Sequence, residues 1–187
     1  MNLLANFYLA FEIYLIDFLQ YQKLYSHNEK YILDQFVMNG GKTLWMVDEV
    51  VADLDSLQNE NFSSFAYPQD LNLDDILFRY GVRINKTLIQ DLISSPVTVT
   101  DQNGEIPINW FYSPMVSPTN NHPINKGVNV VKLEFANGID TLPNAIDKTI
   151  LLQSSPQSKE VGVPRAYSLD EFDTQQDIAT FNDGNKT

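Results

Sequence analysis

Apolar residues between Tyr31 and Val37 recur at helical spacing, with Ile32, Leu33, Phe36 and Val37 on one face and Ser26 or Asn28 placed to cap the start. Gly40 fits the left-handed position that ends a helix. Thr43 to Val47 is short, apolar and rich in strand-preferring residues, which predicts a strand covered on both faces, and it runs into Asp48. The order helix, Gly-Gly, strand, acid predicts half of a crossover unit in an α/β domain. In open α/β sheets ligands gather at the carboxyl ends of strands, which makes Asp48 and the acidic stretch after it the first candidate site.

Elsewhere the pattern is more varied. Leu4, Phe7, Phe11, Tyr14, Leu15, Phe18, Leu19 and Tyr25 predict an amphipathic N-terminal helix within residues 1–25, with a strand over Phe11 to Ile16 as the alternative. Leu71 to Gly81 predicts a second helix, with Asn72 as cap, Asp74 and Asp75 in the first turn and Gly81 as the stop. A short strand follows at Val82 to Ile84, and Lys86 to Ile93 reads as a further helical turn or two. Val97 to Thr100, a turn at Asp101 to Gly104, and Glu105 to Tyr112 predict a β-hairpin. A Pro- and Asn-rich loop carries His122. Val130 to Ala136 and Thr149 to Ser154 are the last predicted strands, and residues 168–187 read as a polar, flexible tail.

Composition narrows the function. The 187 residues carry a formal charge of −12, and the 12 Lys and Arg are scattered, which argues against nucleic-acid binding. With no cysteine, thiolate metal sites and cysteine nucleophiles are excluded, and two histidines offer few bases. The apolar stretch Leu3 to Leu19 contains Glu12 and Asp17, which a spanning helix would not carry, and it lacks the features of a signal peptide. The sequence is therefore expected to be a soluble chain or the soluble piece of something larger.

Arg79 and Arg83 flank Tyr80-Gly81 and could hold a carboxylate or phosphate, or pair with acids such as Asp74, Asp75 or Asp91. Asp48, Asp53, Asp55 and Ser56 could offer oxygen ligands to a cation, although the spacing does not match a calcium loop. His122 reads as a turn residue. Ser154-Ser155 could donate to a ligand or close a strand. Gly40-Gly41 ends a helix instead of opening one, so it is not a phosphate loop.

Several motifs carry a family resemblance: Leu33 to Lys42, Asp53 to Leu57, Leu71 to Leu73, Leu77 to Asn85, Gln90 to Leu92, Asn121 to Ile124 and Thr149 to Ser155. From about Glu29 to Arg165 the chain resembles the GldG family, the auxiliary, so-called substrate-binding component of the gliding-motility ABC transporter of Bacteroidetes. The resemblance implies a GIFT-type domain: an α/β three-layer sandwich, similar to flavodoxins and class I glutamine amidotransferases, that binds ligands or partners without chemistry of its own. Here it would span residues 26–167 and carry a β-hairpin insertion. Residues 1–25 do not match the family, so a sheet lacking its first strands and a homodimer through the N-terminal helix are expected. Family members span a membrane, and the resemblance is to their extracytoplasmic, periplasmic portion.

These readings combine into a non-enzymatic ligand- or protein-binding domain of an ABC-transporter accessory subunit. It needs no cofactor, and its binding is focused on Asp48, Asp55, Ser56, Arg79, Tyr80, Arg83 and Asn85. The transporter's membrane and ATPase subunits are the expected partners, with a small molecule or glycan as a further ligand. Two alternatives remain from other classes: a carboxylate-dependent hydrolase acting on glycans through a pair such as Asp48 and Asp55, and a purely structural assembly domain.

Overall fold

A computed structural model describes residues 13–17, 24–59, 61–101, 104–169, 171 and 180–181. Strand β1 (Ile13–Asp17) runs parallel to β2 (Lys42–Met46), and helix α1 (His27–Met38) connects them. This is the expected crossover unit. Over Ile13–Asp17 the strand alternative is the one realised. Tyr25, the last residue of the predicted N-terminal helix, is buried in a segment that is not helical; the other remaining positions, and with them the homodimer surface, lie outside the described residues.

Local sequence explains how α1 is bounded. Ser26 Oγ accepts from the Glu29 N–H at 3.3 Å while the Glu29 carboxylate accepts from the Ser26 N–H at 2.9 Å, a reciprocal capping box. The two glycines at the other end serve different purposes. Gly40 adopts φ +87°, and a Cβ on Gly41 would run into the Phe36 ring.

The buried face of α1 differs from the expected one. Of the four residues expected there Leu33, Phe36 and Val37 are half-buried, but Ile32 is exposed, and Lys30 and Asp34 join the inward stripe. Two charged residues sit there because α1 meets α2 (Asp74–Tyr80) partly through ion pairs. Nor is β2 covered on both faces, since Leu44 and Met46 are exposed while Thr43 and Trp45 point inward. Asn72 does not cap α2. It takes φ +56° and donates its side-chain amide to the Tyr25 carbonyl at 2.6 Å, and Leu73 occupies the N-cap position. Gly81 ends α2 at φ +84°, as expected.

The rest of the chain is mainly strand. In order these are β3 (Val50–Val51), β4 (Ser63–Pro68), β5 (Val82–Ile84), β6 (Thr87–Asp91), β7 (Ser94–Asp101), β8 (Gly104–Pro118), β9 (Val131–Lys132), β10 (Ile139–Thr141), β11 (Leu152–Gln153), β12 (Ser158–Gly162) and β13 (Arg165–Ser168). β7 and β8 form the expected hairpin, closing at Asp101 opposite Gly104. β6 replaces the helical turns expected from Lys86 to Ile93, because Thr87 to Asp91 pairs residue for residue with β12. The predicted strands at Val130 to Ala136 and Thr149 to Ser154 shrink to two residues each.

Every described pairing except β1 with β2 is antiparallel. Among the described residues the fold is therefore mixed α/β, mostly strand with two helices. These pairings do not build the parallel, helix-covered sheet that a flavodoxin-like sandwich implies.

Two cores hold the described residues together. The larger joins Val50, Leu57, Ala66, Leu88 and Val97 to the aromatic group Trp110, Tyr112, Phe135 and Tyr167. Trp110 and Tyr112 are 5.2 Å apart between ring centroids, and Phe135 and Tyr167 are 5.1 Å apart in an edge-to-face arrangement. The smaller core gathers Tyr25, Leu71, Leu73 and Leu77 beneath α1 and β2. Within the tail expected to be flexible, Phe181 is buried and Glu171 pairs with Arg165; most of that segment lies outside the described residues.

Candidate functional site

The residues singled out by sequence do not gather at one place. Asp48 follows β2 and is exposed; its backbone carbonyl accepts from the Gln69 side chain, and the surrounding loop desolvates its carboxyl enough to raise the pKa. Asp55 opens a 3-10 turn at Asp55–Leu57, where its carboxylate accepts from Gln58 Nε2 at 3.1 Å. No hydrogen bond or shared partner joins Asp48 to Asp55 among the described residues. Ser56 belongs to a structural knot: its Oγ donates to the Asp53 carbonyl at 2.6 Å and lies 2.8 Å from Tyr167 Oη, which also contacts the Asp53 backbone. Among the described residues no group of three or more His, Asp or Glu is placed to hold a metal ion.

The second set is closer together but committed internally. Arg79 Nη1 and Tyr80 Oη both reach Asp34 Oδ1 on α1, at 3.4 and 2.8 Å. Burial first, then this hydrogen bond to a carboxylate, pushes the Tyr80 hydroxyl up to about 12. Arg83 Nε donates to Asp140 Oδ2 at 3.1 Å, and Asn85 Nδ2 donates to the same oxygen at 3.2 Å and to Glu160 Oε1 at 3.4 Å. Pairing of both arginines with acids matches one of the two expectations, but the partners are Asp34 and Asp140 in place of Asp74, Asp75 or Asp91. Ser155 closes a strand end: its N–H and Oγ donate to the fully buried Asp91 at 2.7 and 2.5 Å, and the Ile93 N–H donates there at 2.8 Å. His122 is a turn residue whose Nδ1 accepts from the Ile124 N–H at 3.3 Å.

Among the described residues two surface features stand out beside these commitments. One is a shallow groove of about 310 Å³ along α2 and β5, lined by Asp74, Leu77, Phe78, Val82, Arg83, Ile84, Asn85 and Lys86. Arg83 and Asn85 are the predicted residues it contains. Next to the lining residue Lys86, 3.8 Å from its ammonium, stands Glu49, a residue the sequence reading passed over; it is 1 % exposed, and its carboxyl is raised to about 7 by burial, then by the Asp74 charge, against the opposing pull of Lys86. The only sequence signal was its position one residue beyond the acid that ends β2. The other feature is the outer face of the three-stranded sheet β13-β4-β3. Strand alternation sends Ala66 into the core and Phe65 and Tyr67 outward, where they are 56 % and 53 % exposed. Their rings stack with centroids 6.0 Å apart, and Val51 lies beside Tyr67 in register.

Residues 17–187 match the family model described as an ABC-type uncharacterized transport system. The chain belongs to that family. The ABC-transport family match begins at the last residue of β1 and covers both helices and all later strands. It makes the protein an accessory component of an ABC-type transport system, associated with the transporter. Comparisons with curated proteins and with solved structures gave no match. Among the described residues no helix is long and apolar enough to cross a membrane.

Proposed function

We propose that this chain is a non-enzymatic docking module, the extracytoplasmic part of an ABC-transporter accessory subunit, and that it contacts the transporter's membrane subunits through the outer face of β13-β4-β3. The observation that carries this reading is the stacked Phe65–Tyr67 pair, more than half exposed on a sheet whose opposite face is the main core. Aromatic side chains supply large, rigid contact area, and a cluster of them in water favours a covering partner. The polar candidates support the same reading from the other side, because Ser56, Arg79, Tyr80, Arg83 and Asn85 each spend their polar groups on internal contacts. The GldG-like motifs make the gliding-motility transporter the expected assembly.

The test is capture of transporter subunits from a detergent-solubilised membrane extract by the tagged chain. The double variant Phe65→Ser, Tyr67→Ser should lose capture of those subunits while keeping the wild-type melting temperature. Undiminished capture by the folded double variant would overturn the sheet face as the docking surface. Turnover in a broad glycoside and ester screen that is lost in Asp48→Asn would overturn the non-enzymatic reading.

A further inference from the structure

Glu49 enters the protein interior immediately after the loop that ends β2. Its N–H donates to Asn137 Oδ1 at 2.9 Å and its carbonyl accepts from the Gln69 N–H at 2.9 Å, so the backbone is fixed. Neither carboxylate oxygen has a hydrogen-bond partner among the described residues, although the residue is 1 % exposed. Buried carboxylates are normally satisfied by donors or a cation. The charged groups around this one are Lys86, Asp74 and Asp70. Lys86 Nζ lies 3.8 Å from Glu49 Oε2 and 3.9 Å from Asp74 Oδ2, beyond N–H···O bonding distance to either. Its ammonium therefore sits between two carboxylates and is bonded to neither.

The site adjoins the groove through Lys86 and Asp74, which belong to its lining together with the apolar side chains of Leu77, Phe78 and Ile84. We propose that the groove binds an amphipathic cation, an amine or guanidinium on an apolar stem, whose head group replaces the Lys86 ammonium between Glu49 and Asp74 while the stem lies on Leu77, Phe78 and Ile84. Charge decides for a cation over an anion. Two carboxylates flank the Lys86 ammonium, a third, Asp70, adds its negative charge at Glu49, and the groove's other cation, Arg83, is already engaged by Asp140. The formal charge of −12 attracts cationic ligands to the whole molecule. Displacing Lys86 is easy, because its side chain is 38 % exposed and can swing into water on a flexible stem. The proposal is independent of the aromatic sheet face, and either can fail without the other.

The test is an NMR titration of the full chain with n-hexylammonium at pH 7.5, with hexanoate as the control. The Leu77 and Ile84 methyl resonances should shift saturably with the amine and remain in place with the acid. Lys86→Ala removes the resident competitor and should tighten amine binding by about threefold, whereas Glu49→Gln should weaken it by about tenfold. Asp74→Asn, on an exposed side chain, provides the same weakening should Glu49→Gln fail to fold. Affinity should rise from pH 6 to pH 8 as the Glu49 carboxyl ionises. Equal affinity for hexylammonium and an acetylated lysyl dipeptide assigns the site to head and stem alone; tighter binding of the dipeptide assigns it to a polypeptide. Saturation by hexanoate, loss of amine binding in Lys86→Ala, or no methyl shift with either probe would overturn the proposal.

Discussion

Lys30 Nζ lies 2.7 Å from Asp75 Oδ1, the shorter of the two ion pairs that tie helix α1 to helix α2. The two partners are unequally placed. The Lys30 side chain is 7 % exposed and that of Asp75 is 58 % exposed, with Asn72 Oδ1 a further acceptor for the ammonium at 3.2 Å.

The asymmetry predicts unequal costs for breaking the pair. Asp75→Ala leaves a buried ammonium with one amide partner and should cost about 2 kcal/mol. Lys30→Met keeps the stem in place and leaves a carboxylate that water can solvate, so it should cost less than about 1 kcal/mol. The Lys30 hydrogen bond lowers the Asp75 pKa, so the pair contributes above the ordinary aspartate range and loses its contribution as pH falls through the folded value. Urea denaturation of both variants at pH 7 checks the ordering, and equal costs would contradict it.

Glu49 predicts the opposite pH dependence. Its folded pKa of about 7 lies above the ordinary glutamate value of 4.5, so the native state holds a proton that the unfolded chain has released. Between those two values stability falls as pH rises, and the penalty is complete above about pH 7. Glu49→Gln removes the ionisation and should gain about 1–2 kcal/mol relative to wild type at pH 8 compared with pH 4.5. Denaturation at the two pH values measures this, and a pH-independent difference would refute it.

Asp91 accepts three hydrogen bonds while fully buried, from the Ser155 N–H, Ser155 Oγ and the Ile93 N–H. Asn is nearly isosteric but turns one acceptor oxygen into a donor that faces donors. Asp91→Asn should therefore cost about 3 kcal/mol, and Ser155→Ala about 1 kcal/mol, since the latter removes one donor and keeps the backbone N–H contact. Thermal and urea melts of the two variants decide.

Gly40 and Gly41 should respond differently to alanine. At Gly40 the added methyl meets open space, and the cost is the left-handed backbone, about 1 kcal/mol. At Gly41 it meets the Phe36 ring. Gly41→Ala should be rescued in part by Phe36→Leu, and Gly40→Ala should not; a double-mutant cycle reads the coupling directly.

Where structure is set by neighbouring residues, the sequence was readable. The Ser26 cap, the glycine stops at Gly40 and Gly81, the crossover order and the β7–β8 hairpin all depend on residues a few positions apart. Misreadings fell where a distant segment decides. Thr87 to Asp91 is a strand because Ser158–Gly162 lies alongside it, and β13 is a strand because β4 does the same for Arg165–Ser168. Asn72 was drawn away from capping by Tyr25 and Lys30 on another element. The candidate site divides in the same way. The Arg79 to Asn85 segment was found through its local cluster of charge, and two of its predicted site residues, Arg83 and Asn85, line the groove. Glu49 was not, because a buried carboxylate and an exposed one look alike until the loop that carries them is placed.

The hydroxyl of Tyr167 grips the backbone of Asp53, a residue 114 positions earlier in the chain, and its ring completes the aromatic core. A molecule closed by its late strands has high contact order, so the slow step in folding is the search that brings these ends together. During synthesis the main core cannot be completed until β13 has left the ribosome, and until then the β4 edge that it covers is open to pairing with other strands.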